Sequence, residues 1–152
     1  MLVIKSTKLL KLVIFILLSV LITLFAGCAS TALSPDEIKI TDAIYGYFQA
    51  ISDQDWDGAR SYCVYESTAY NDVNDIKELW YPDSGEIEEI DIDFIVEDID
   101  KIIITGEYAE AQVNIKGIIL YNGEIVEENP GEILIVYLQK IVDSWKLYNI
   151  EE

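Results

Sequence analysis

The sequence predicts an α+β domain behind an export segment, and three observations support this. Helix-starting and helix-periodic residues crowd the stretch from Ser34 to Trp80. Strand-like alternation runs from Glu86 to the end, and an apolar run with a basic head precedes Cys28. Helices and then strands, in separate blocks, point to α+β rather than to alternating βαβ units.

The head carries Lys5, Lys8 and Lys11, the run from Leu12 to Phe25 is unbroken and apolar, and the small pair Ala26-Gly27 leads into Cys28. That is the three-part plan of a secretory signal. The run is shorter than the about 20 apolar residues a spanning helix needs, so cleavage before Cys28 is the better reading and an uncleaved anchor helix the alternative. Either one tethers the chain to a membrane. The stretch Leu24-Phe25-Ala26-Gly27-Cys28 resembles the lipobox of prokaryotic lipoproteins, with Phe25 where that family usually has Leu. The resemblance implies a signal peptide over 1–27 and a diacylglyceryl thioether on Cys28. The protein is then lipid-anchored to the cell membrane and faces the extracytoplasmic side. Residues 28–33 become the lipidated cysteine and a short stalk, ahead of one domain over 34–152. Two acyl chains make such an anchor lasting, because each buried methylene contributes about 0.8 kcal/mol.

All 28 acidic residues lie after Cys28 and three of the 10 basic ones before it, so the mature part carries 7 − 28 = −21. A charge of that size repels nucleic acid and anionic headgroups, which excludes DNA and RNA as partners. The 152 − 28 = 124 residues after Cys28 suit a single domain with one core. A lipidated Cys28 cannot pair with Cys63, so no internal disulfide forms. Histidine is absent. Nothing of that kind can activate Cys63, which reads as a small core residue.

Ser34-Pro35-Asp36-Glu37 supplies a capping serine, proline at the first helical position and glutamate three after the cap, so a helix starts there. Ile40, Ile44, Tyr47 and Ile51, widened by Phe48, form its apolar stripe. A second helix opens at the cap Asp55 and buries Trp56, Ala59 and Cys63. A third runs from about Asn71 to Trp80, with Val73, Ile76, Leu79 and Trp80 inward, and stops at Tyr81-Pro82-Asp83-Ser84-Gly85. From there the period becomes two. Ile90-Asp91-Ile92-Asp93-Phe94 reads as one strand and Ile99 to Ile104 as another, with a turn at Thr105-Gly106-Glu107. Tyr108 to Tyr121 is a long strand whose Ala109, Ala111, Val113 and Ile115 share a face. Asn122-Gly123 closes a hairpin, Asn129-Pro130-Gly131 interrupts the return, and Glu132 to Val142 and Trp145 to Ile150 are the last strands.

In this order the chain resembles the NTF2-like, or cystatin-like cone, superfamily and its small lipoproteins of unassigned function. The residues concerned are Phe48-Gln49-Ala50-Ile51, Asp55-Trp56-Asp57-Gly58-Ala59, Gly106-Glu107-Tyr108-Ala109-Glu110-Ala111, and Leu138-Gln139-Lys140 followed by Ser144-Trp145-Lys146-Leu147. The resemblance implies a strongly curved antiparallel sheet wrapped around the helices, with a conical cavity between them. Ser144 stands where the superfamily usually has glycine.

Enzymes of that superfamily use a cavity carboxylate or an Asp-His pair as general base. With no histidine, a carboxylate raised by burial would have to serve, and Asp91 and Asp93 are the nearest candidates. Their alternation with Ile90, Ile92 and Phe94 instead places them on an outward face, so no catalytic residue is assigned. Asp53, Asp55, Asp57 and Gly58 reproduce the first half of a calcium loop, but its twelfth position is Val64 where a bidentate glutamate belongs. Helix capping explains the same residues without a metal, and no cofactor is implied. Tyr45, Tyr47, Phe48, Trp56, Tyr62 and Trp80 either fill the core or line a pocket for a small apolar ligand. The sequence therefore supports a non-enzymatic binding or accessory module, with an apolar ligand or an envelope protein as partner. An isomerase- or dehydratase-like enzyme and a calcium-dependent interaction domain are the alternatives.

Overall fold

The computed structural model describes residues 33–80, 90–121 and 123–152. The signal segment 1–27, Cys28 and the rest of the stalk up to residue 32 lie outside the described residues, as do the helix stop at 81–85 and Asn122 of the hairpin.

Helix α1 spans Pro35–Ser52. Ser34 starts it through a reciprocal cap, in which its hydroxyl accepts from the Glu37 N–H at 3.2 Å and the Glu37 carboxylate accepts from the Ser34 N–H at 2.6 Å. The helical repeat then turns Ile40, Ala43, Ile44, Tyr47, Phe48 and Ile51 into the core. Helix α2 spans Trp56–Ser61 and buries Trp56 and Ala59. Cys63, expected on this helix, is buried just beyond its end, where it bridges to Leu147. Helix α3 spans Thr68–Trp80 and starts earlier than the expected Asn71. The reason is a cap that periodicity does not reveal: Ser67 Oγ accepts from the Tyr70 N–H at 3.2 Å.

Five strands follow: β1 (Ile90–Thr105), β2 (Tyr108–Tyr121), β3 (Glu124–Glu128), β4 (Glu132–Ile141) and β5 (Ser144–Glu151). They form one antiparallel sheet in the order β1-β2-β4-β5, with β3 paired to β2. β3 lies along Ile118–Tyr121 and β4 along Tyr108–Ile115, so Asn129-Pro130-Gly131 separates two strands on one edge of β2. β1 is a single strand where alternation suggested two. Its register shifts between Val96 and Asp98 and between Ile99 and Lys101. Such bulges break the period of two and bend the strand without ending its pairing.

Ala109, Ala111, Val113 and Ile115 of β2 join Val136 and Leu138 of β4 and Trp145 and Leu147 of β5 in one buried cluster with the α1 stripe. Among the described residues every buried one lies between Ile40 and Leu147, and Ser34–Glu152 is a compact unit. A fragment beginning at Ser34 therefore carries every core residue described, which is what independent folding of a domain requires. Among the described residues no helix is long and apolar enough to cross a membrane.

Candidate functional site

A cavity of about 320 Å³ opens between α1, α3 and the inner face of the sheet, within the size range of small-molecule pockets. Tyr47, Phe48 and Ile51 come from α1, and Asp72 and Ile76 from α3. The sheet adds Phe94, Ile115, Glu132, Leu134, Ile150 and Glu151, and Glu152 follows at the rim. The aromatic wall is ordered edge to face: Tyr47 and Phe48 have ring centroids 5.1 Å apart, and Phe48 and Phe94 6.1 Å.

Two polar groups of this wall stand out. Tyr47 is only 1% exposed, yet its hydroxyl has no hydrogen-bond partner among the described residues. Burial, reinforced by Cys63 and the charge of Asp72, pushes its pKa well above the ordinary tyrosine range, so the phenol stays protonated. Asp72 is half-buried and has no hydrogen-bond or ion-pair partner among the described residues. Burial first, and the charge of Asp75 second, raise its pKa above the usual carboxylate value.

Asp72 and Glu132 were not singled out from the sequence, although both leave a signal there. Asp72 lies three after Ala69 and four before Ile76 on α3, on the stripe that also carries buried Val73. Glu132 shares a strand face with Leu134, Val136 and Leu138, in register with Ile115, Val113, Ala111 and Ala109. An acid at an inward position of each element is the departure from pattern that marks the cavity.

The aromatic candidates separate. Tyr47 and Phe48 line the cavity. Tyr45 does not: it is exposed, because the repeat that turns Ile44 and Tyr47 inward carries position 45 to the opposite face of α1. Trp56 is buried in the core, and Tyr62 lines a second cleft with Lys39, Asp42 and Trp145. The side chain of Trp80 lies outside the described residues. Asp91 and Asp93 are exposed and away from the cavity, and Asp91 accepts from Gln54 Nε2 at 3.0 Å.

The three loop aspartates are engaged separately. Asp53 accepts from Gln49 Nε2 at 3.0 Å, Asp55 caps α2 through the Gly58 N–H at 2.9 Å, and Asp57 pairs with Arg60 at 2.5 Å. The Arg60 guanidinium holds Asp57 below the usual carboxylate range. A Cβ on Gly58 would collide with the Asp55 carboxylate, so this glycine makes room for the cap. Among the described residues no cluster of three or more His, Cys, Asp or Glu side chains is placed to hold a metal ion. Burial pushes the Cys63 thiol up to about 12, which leaves it unreactive at neutral pH.

No family model and no curated protein matches this chain. Solved structures do match. Bd1075 of Bdellovibrio bacteriovorus superposes with a TM-score of 0.55 at 12% identity, over 76% of this chain and 39% of that one. The chain thus spans about two fifths of that protein's length. The beta subunit of benzoate 1,2-dioxygenase from Burkholderia mallei gives 0.58 at 7% identity, over 79% of this chain and 89% of that one. A protein of unknown function with a cystatin-like fold from Nostoc punctiforme gives 0.54 at 8% identity, over 79% and 92%. A subunit of an enzyme and a protein of unknown function share this architecture, so function must be argued from the site. What the likenesses establish is the fold, an α+β cystatin-like cone in which the helices precede a curved five-stranded antiparallel sheet.

Proposed function

We propose that the protein is a non-enzymatic binding module, tethered outside the cytoplasmic membrane through lipidated Cys28, that takes a small apolar ligand into the cavity between α1, α3 and the sheet. One observation carries the ligand reading: a cavity of about 320 Å³ walled by Tyr47, Phe48, Ile51, Ile76, Phe94 and Leu134. Walls of that kind desolvate an apolar ligand, and the hydrophobic effect supplies the affinity. The basic head, the apolar run and Ala26-Gly27-Cys28 support the tether. The ligand test is titration of the 34–152 fragment with an environment-sensitive apolar fluorophore. One saturable site is expected, lost in Ile76→Trp, which fills the cavity while the fragment still melts cooperatively. Undiminished binding by that variant overturns the reading. For the tether, labelled lipid is expected on the wild type and not on Cys28→Ser, and equal labelling of both refutes it.

A second reading rests on Asp72. This carboxylate lines the cavity without a partner among the described residues, its pKa is raised by burial, and a protonated Tyr47 hydroxyl lines the same wall. A base and a hydrogen-bond donor in one apolar pocket are the parts of an isomerase- or dehydratase-like site. Carboxyl titration by NMR separates the two readings. An Asp72 pKa near neutrality favours the enzyme, and an acidic one the module.

A further inference from the structure

We infer that the ligand of this cavity is a small cationic amphiphile, an amine with a short alkyl or aryl tail. Its tail lies against Tyr47, Phe48 and Phe94, and its ammonium group is held by Asp72 and Glu132. The inference rests on the cavity being a ligand site and adds the sign and shape of what fills it.

The cavity makes the site, and the groups along its wall select the charge. Apart from Tyr47, every polar side chain lining it among the described residues is an acid: Asp72, Glu132, Glu151 and Glu152. No lysine or arginine among the described residues lines it. Glu151 is already occupied, accepting from the Tyr137 hydroxyl at 3.2 Å and from Asn149 Nδ2 at 2.7 Å. Asp72 and Glu132 have no such partner among the described residues. They sit at the inward positions of α3 and β4, beside apolar wall rather than on a solvated face. A charged group half out of water and unpaired is unfavourable, and an entering cation relieves this twice over.

The Tyr47 hydroxyl is an independent second indication. It is buried to 1% exposure, lines the cavity and lacks a hydrogen-bond partner among the described residues. Buried polar groups are nearly always paired, and an exception needs an explanation. An ammonium N–H donated to its oxygen supplies one. A neutral alcohol has a single O–H to donate, so it could pair with at most one of the two carboxylates and would bring no charge to either, and a carboxylate ligand would meet four acidic side chains. The −21 charge of the mature part (7 − 28) further concentrates cations around the protein.

The test compares octylammonium, octanol and octanoate, three probes with one tail, by calorimetric titration of the 34–152 fragment. Octylammonium is expected to bind at least about tenfold tighter than octanol, as a charge-assisted hydrogen bond warrants, and octanoate more weakly than both. Asp72→Asn and Glu132→Gln are each expected to remove the ammonium advantage with octanol binding unchanged, whereas Asp91→Asn, exposed and away from the cavity, leaves it intact. Ile76→Trp is expected to abolish binding of all three. Octanol binding as tightly as octylammonium overturns the inference and leaves the apolar-ligand reading standing. An equal loss in Asp91→Asn also overturns it, by showing attraction to the acidic surface alone. Binding by none of the three overturns both.

Discussion

The indole N–H of Trp145 donates to a carboxylate oxygen of Asp36 at 3.1 Å, and so ties the first turn of α1 to the last strand of the sheet. Lys140 Nζ reaches both oxygens of the same carboxylate at 2.9 Å and lies 5.6 Å from the centre of the Trp145 ring. The three side chains join the two ends of the described domain. Position 36 also suits an acid on local grounds, because negative charge is favourable in the first turn of a helix.

That junction has a pH signature. The hydrogen bond from Lys140, and then the one from Trp145, hold the Asp36 pKa below the ordinary carboxylate value. A carboxylate with a depressed folded pKa adds stability above its unfolded value, about 3.9, and loses it as pH falls through the folded one. Lys140→Met should therefore lower the melting temperature at neutral pH, with the gap to wild type closing in acid. A gap independent of pH would count against the linkage.

Asp72 should behave in the opposite sense. Its folded pKa is raised, so the native state holds the proton more tightly and stability falls as pH rises from the unfolded value through the folded one. Asp72→Asn should melt higher than wild type at neutral pH, and the difference should vanish below about pH 4. A variant that melts lower at neutral pH would mean that the carboxylate has a stabilising partner.

Val142 occupies the turn between β4 and β5 with φ of 59°, and its side chain is 88% exposed. A β-branched residue in the left-handed region is strained, and no packing offsets it here. Val142→Gly is expected to raise stability by about 1 kcal/mol. The check is a higher urea midpoint at unchanged m-value, and an unmoved or lower midpoint speaks against strain at this turn.

The cap at Asp55 can be separated from a metal role. Asp55→Ala should cost about 1 kcal/mol, and Gly58→Ala should cost a comparable amount by displacing the capping carboxylate. Millimolar calcium should leave the melting temperature of the 34–152 fragment unchanged. A large rise with calcium that disappears in Asp53→Ala would restore the metal reading.

Local chemistry made most of the fold legible. The Ser34–Glu37 cap, the spacing of Ile40, Ile44, Tyr47 and Ile51, and the alternation through Ala109 to Ile115 each depend on neighbours close in sequence. Such signals survive in a single sequence, and so the order of helices and then strands could be read directly. Where a local signal was interrupted, the reading erred. The bulges of β1 made one strand look like two, and the Ser67 cap lay ahead of any helical periodicity.

The sequence by itself determined the α+β order, the core stripe of α1 and the inward face of β2, because each follows from the period of a single element. Only the tertiary structure decided the site. Asp72 and Glu132 are 60 positions apart and line one cavity only because α3 and β4 both border it. The same holds for Phe94 against Phe48 and for Trp145 on Asp36. Period tells which face of an element turns inward, whereas what that face meets depends on how separate elements pack, and no short-range pattern encodes that.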